Sequence, residues 1–190
     1  MKNNYSRIMM FSVVCIAINI VFGTLVGILK IPLIFMDTMG TILTAAIYGP
    51  VWGAAVGLLT NIIIGITTNP VDIPFALVNM SIGIVVGLIS KKVGFGFKTS
   101  IVTGLILAVV APLIGTPIAV WIYGGLTGGS TDFIFAWLRA SGNSIFTSAF
   151  VPRIVGNLVD KVASCIVAFV IITRLPKSYL AGALTHVKKS

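Results

Sequence analysis

The sequence predicts an all-α integral membrane protein, a compact bundle of six transmembrane helices with both termini cytoplasmic, and three observations predict it. Of its 190 residues 57% are hydrophobic and only 9% charged, against about 25% charged in soluble domains. The apolar stretches between turn signals have the length that hydrocarbon requires, about 17 to 25 residues per helix. Most of the basic residues fall between or beyond those stretches. Lys2 and Arg7 precede the first, Lys91, Lys92 and Lys98 share one connection, and Arg174, Lys177, Lys188 and Lys189 follow the last. An even number of crossings places these groups on one side, the cytoplasmic side under the positive-inside bias. The net charge of +9 is therefore assigned to topology and not to nucleic acid. One domain over residues 1–190 is expected, multi-pass in the cell membrane, because no connection is long enough to link independent units.

The first span is read from Ile8 to Leu29, longer than the apolar core of a secretory signal at about 7 to 15 residues, and no small-residue cleavage site follows it. Lys30, Ile31 and Pro32 form an outer turn. The second span, Leu33 to Tyr48, is short and carries Asp37, Thr38, Thr41 and Thr44. Gly49-Pro50 makes an inner turn, since a residue before proline is driven out of helical geometry. The third span covers Val51 to Thr67, Asn69-Pro70 is an outer turn, and the fourth runs from Ile73 to Ser90. The fifth, Ser100 to Gly124, contains Pro112 and Pro117, which predict a kink. Residues of about 125–152 are too polar to span. Ser130, Thr131 and Asp132 suit a helix cap before Phe133 and Trp137, so an outer interfacial helix or lid is expected there. The sixth span is read from Arg153 to Leu175.

Small residues recur at helical spacing at Gly49, Gly53, Gly57 and Gly65, at Gly83 and Gly87, at Ala111, Gly115 and Ala119, and at Gly23 and Gly27. Such stripes let helix backbones approach, and packing inside the bundle is the first expectation for them. Polar residues at membrane depth carry more information, because each costs several kcal/mol unless it is paired or lines a wet cavity. Asp37 and Asn79 lie roughly 6 to 10 Å below the outer ends of their helices at a rise of about 1.5 Å per residue. Asn61 approaches that level from the other side. Arg153, Asn157, Asp160, Lys161 and Ser164 follow one helix face downward from the outer end. Their convergence predicts a solute pocket open to the outside, with register-fixing pairs as the alternative for Asp160 and Lys161. Asn19 reaches a middle level and is read first as structural.

Trp52, Trp121 and Trp137 sit near span ends, where an interfacial belt is the default. Trp137 and Phe133 close on a ligand if the outer connection folds over the pocket, with Arg139 or Asn143 at its polar end. Cys15 and Cys165 read as small packing residues, and His186 as solvated in the basic tail. Catalysis is unsupported: there is no zinc-protease motif, no nucleophile elbow, no phosphate loop and no glutamate. No cofactor is expected in this chain, and no metal, because no His or Cys cluster lies within the membrane.

In size and pattern the chain resembles the substrate-binding S components of energy-coupling factor (ECF) transporters. The resemblance is carried by the stretch from Phe35 to Asn61, FMDTMGTILTAAIYGPVWGAAVGLLTN, together with Asn157 through Lys161. It implies a high-affinity binder of a vitamin, vitamin precursor, metal ion or similar micronutrient near the outer face, gated by outer loops. It also implies partners, a transmembrane coupling subunit and two cytoplasmic ATPases that supply the energy. The family's Ala-x-x-x-Ala docking motif in the first helix is represented only by Val13 and Ala17. Within that frame Asp37 or Asp160 receives an ammonium and Lys161 or Arg153 a carboxylate, which favours an amino-acid-like zwitterion. An aromatic vitamin stacked on Trp137 stays open. The competing expectations are a scaffold or regulatory subunit without a ligand, and a stand-alone secondary carrier.

Overall fold

The computed structural model describes residues 2–29, 31, 33–126 and 132–176, with side chains from Tyr5 onward. The turn residues Lys30 and Pro32, the capping residues Ser130 and Thr131, and the tail with Lys177, His186, Lys188 and Lys189 lie outside the described residues. All regular structure among the described residues is helical: α1 (Lys2–Leu29), α2 (Met39–Tyr48), α3 (Pro50–Thr67), a 3-10 helix (Pro70–Phe75), α4 (Ala76–Val93), α5 (Phe97–Tyr123), α6 (Asp132–Ala140) and α7 (Ile145–Arg174). Five segments are long and apolar enough to cross a bilayer: α1, α3, the 3-10 helix with α4, α5 and α7. Pro112 and Pro117 both lie inside the one continuous helix α5.

The second span departs from expectation. Only Met39–Tyr48 is helical, about 15 Å of rise against a hydrocarbon core of about 30 Å. All ten of its residues are buried, enclosed by α1, α3, α4 and α7. It is the axis of the bundle, not a lipid-facing column. Residues 33–38, read from sequence as the start of this helix, are a non-helical strap in which Leu33 and Met36 take positive φ values of 63° and 51°. The amides of Phe35 and Met36 are claimed by a side chain of α7, described below, and that competes with helical bonding.

Close backbone contact joins α3 to α4. A Cβ on Gly57 would lie 2.5 Å from the Asn79 carbonyl oxygen, and one on Gly83 would run into the backbone of Gly53. Gly87 fits against Pro50 in the same way, and Gly104 brings α5 within 2.6 Å of the Val162 Cα by the same measure. On α1 a Cβ at Gly23 would lie 3.2 Å from the Asp37 Cβ, whereas Gly27 has nothing within 4 Å, so only one member of that pair packs.

Helix α7 begins at Ile145 and not at Arg153. The polar residues that made this connection a poor span end at Ser144, whose Oγ accepts the Thr147 amide at 3.1 Å. Ile145, Phe146, Phe150 and Val151 then form two apolar outer turns, and Pro152 sits inside the helix. Arg153 is thus two turns down from the helix start, not at its outer end.

Candidate functional site

The strap and α7 meet at Asp160, which is 1% exposed. Its Oδ1 accepts the backbone amides of Phe35 at 2.8 Å and Met36 at 2.9 Å. Its Oδ2 accepts the Lys161 ammonium at 2.7 Å. Lys161 Nζ also donates to Thr38 Oγ1 at 2.9 Å and to Asp37 Oδ1 at 3.3 Å, so its three protons have three acceptors. One turn away, the ring of Phe35 lies against Gly156. Two carboxylates therefore face one buried ammonium, and they differ in access: the Asp160 side chain is fully buried and that of Asp37 is 48% exposed. Burial makes the Asp160–Lys161 contact strong but costly to break, since either partner left alone is an uncompensated charge in an apolar surround.

A second polar group continues directly from the strap. Asn19 Oδ1 accepts the Gly40 amide at 2.6 Å, and its Nδ2 donates to Thr41 Oγ1 at 2.9 Å and Thr60 Oγ1 at 3.1 Å. Thr41 Oγ1 donates to Asn79 Oδ1 at 2.7 Å, and Asn79 Nδ2 donates to Asn61 Oδ1 at 3.0 Å. Asn61 Nδ2 reaches the Asp72 carbonyl at 3.4 Å, and the Asp72 carboxylate accepts Tyr123 Oη at 3.2 Å. Residues 35–41 are thereby tied on one side to α7 and on the other to α1, α3 and α4. This is how the chain satisfies polar groups where water is scarce.

The outer connection holds itself together differently. Phe135 is buried in α6, while Phe133 and Trp137 are 72% and 67% exposed. Arg139 bonds the Asn143 carbonyl and Asn143 Nδ2 bonds the Leu138 carbonyl at 3.1 Å, closing the segment on itself. Arg153 donates to the carbonyls of Ala149 at 2.8 Å and Gly125 at 3.2 Å, and feels the charge of Asp132, so it ties both ends of the α5 to α6 connection to α7. Asn157 bonds back to the Arg153 carbonyl at 2.8 Å.

Of the residues singled out from sequence, the structure brings Asp37, Asp160 and Lys161 into one cluster and Asn61 and Asn79 into a second, joined through residues 37–41. Arg153 and Asn157 lie above them on α7, and Trp137, Arg139 and Asn143 belong to the outer connection. Val13 is 64% exposed and Ala17 is exposed, both on the outer face of α1. The hub threonines Thr41 and Thr60 and the strap amides were not singled out as site residues. A threonine in an apolar helix usually bonds its own i−4 carbonyl, as Thr60 also does to Val56 at 2.8 Å, so composition alone gives no sign of a cross-helix role. Asn19, read as structural, sits at the centre of the second group. Among the described residues no cluster of three or more metal-ligating side chains occurs.

A family model described as the substrate-specific component of ECF transporters matches residues 7–172. Neither a curated protein nor a solved structure matches the chain significantly.

Proposed function

Because the chain belongs to the substrate-specific components of ECF transporters, which are membrane-embedded binding subunits and not enzymes, we propose that it captures a small water-soluble solute at the outer face for uptake. The substrate class is a vitamin, a vitamin precursor or an amino-acid-like zwitterion. A transmembrane coupling subunit and two cytoplasmic ATPases supply the energy, and the chain crosses the bilayer six times with both termini inside. The strap with α2 makes the second crossing.

The observation that carries this reading is the inequality of the three contacts of Lys161. Asp160 and Thr38 hold it at 2.7 and 2.9 Å, and the half-exposed Asp37 holds it at 3.3 Å. The Asp37 contact is the one a solute can exchange. A solute carboxylate takes the place of Asp37 on Lys161, and Asp37, released, receives the solute's ammonium. Asp160 keeps the strap amides throughout and acts as the positioning group. Asn61 and Asn79 support the strap from the other side, and Arg153 ties the outer connection to α7. Trp137, Arg139 and Asn143 meet the solute only if that connection closes further.

The test is mass spectrometry of the ligand released from the purified chain, then a binding titration with that compound. Asp37→Asn lowers its affinity about tenfold or more, the scale of one exchanged charge contact, and leaves the folded protein intact. A chain that yields no ligand, or Asp37→Asn and Lys161→Ala variants that bind as tightly as the parent, would select the ligand-free scaffold. Proton-linked uptake by the chain alone would select a secondary carrier.

A further inference from the structure

A groove of about 580 Å³ opens toward the end of the bundle opposite the strap, between α1 and α7 with α2 as its floor. On α1 its lining runs from Arg7 through Val14 to Ile18, and Leu43, Ile171 and Leu175 complete it. The α1 positions are seven and four residues apart, so they form one stripe along that helix. From Arg7 to Ile18 the stripe measures about 16 Å at 1.5 Å per residue, close to half of a hydrocarbon core of about 30 Å. The slot therefore runs the depth of one leaflet. It is apolar along its length, ends in a guanidinium, and carries no acidic residue in its lining.

We propose that this groove is a binding site for an anionic phospholipid, with one acyl chain along α1 and the headgroup phosphate on Arg7. One feature selects this occupant over a protein helix: the charge is confined to one end of the slot, as in a phospholipid. The guanidinium then holds the phosphate in bidentate geometry, as it holds a carboxylate. Arg7 and Val14 are both exposed, so neither is needed to hold the bundle together. The proposal does not depend on the identity of the solute or on the outer site.

The test reconstitutes the full chain in vesicles of equal phosphatidylglycerol and phosphatidylcholine and reads co-purifying lipid by native mass spectrometry. The parent chain retains phosphatidylglycerol about fivefold over phosphatidylcholine, the scale of one basic side chain acting on an anionic lipid. Arg7→Gln brings that ratio to about one, and Val14→Trp, which fills the slot, lowers retention of both lipids. Thermal unfolding of both variants matches the parent, showing that they fold. A parent ratio of one, an Arg7→Gln chain that keeps its preference, or a Val14→Trp chain that carries lipid undiminished would overturn the assignment.

Discussion

Asp160 and Asp37 share one ammonium, but removing each has a different consequence. Asp160 serves two backbone amides and Lys161 from a fully buried position. Asp160→Ala leaves a buried ammonium with a weaker partner and two strap amides without an acceptor, a loss of about 3–5 kcal/mol. It is read as a lower unfolding midpoint in detergent. Asp37→Asn removes a half-exposed partner, and surface ion pairs contribute only about 0–1 kcal/mol, so the midpoint stays near the parent while solute affinity falls. A matching loss of stability in both variants would contradict the division of roles. The charged members of this cluster were legible in the sequence because a charge at membrane depth requires a partner. The strap amides were not, since every residue carries an amide and only the fold shows which ones lack a helical acceptor.

Whether a glycine stripe packs is decided by the element facing it. On α3, Gly57 faces the Asn79 carbonyl, so Gly57→Ala pushes α4 outward, lengthens the Asn79–Asn61 bond and costs about 1–3 kcal/mol, the scale of an overpacked core. On α1, Gly27 faces nothing within 4 Å. Gly27→Ala therefore leaves stability unchanged or raises it by up to about 1 kcal/mol through helix propensity. Parallel thermal melts of the two variants check the contrast. Spacing alone made the two stripes look alike. The same limit explains the second span: hydropathy located Leu33 to Tyr48 as one apolar unit, but its first six residues leave the helix, and Asp160, more than a hundred positions away, captures the amides of Phe35 and Met36. The start of α7 was hidden by Ser141 to Ser144, polar residues that belong to the turn before it.

At the scale of the whole molecule, the acidic residues collect at one end of the bundle, beside Arg139 and Arg153, and the other end is basic alone among the described residues. The rings of Phe11 and Tyr48 meet at 5.4 Å, those of Phe97 and Phe169 at 6.0 Å, and Gly87 lies on Pro50. These contacts gather Arg7, the Gly49-Pro50 turn, Lys91, Lys92, Lys98 and Arg174 toward one end. Asp37, Asp72 and Asp132 lie toward the other, with Asp160 hydrogen-bonded to the strap on that side. Of the basic groups expected to share a side, Arg7, Lys91, Lys92, Lys98 and Arg174 do so among the described residues, and Lys177, Lys188 and Lys189 lie outside them. Which side faces the cytoplasm follows from the positive-inside bias, and it can be measured. Cys15 and Cys165 are buried, so a single introduced cysteine reports its own position. In intact cells a membrane-impermeant maleimide labels Ser141→Cys, in the exposed turn between α6 and α7, and leaves Lys92→Cys unlabelled until the cells are opened. The reverse pattern would place the strap and its carboxylates inside, where a protein that captures solute from outside has no use for them.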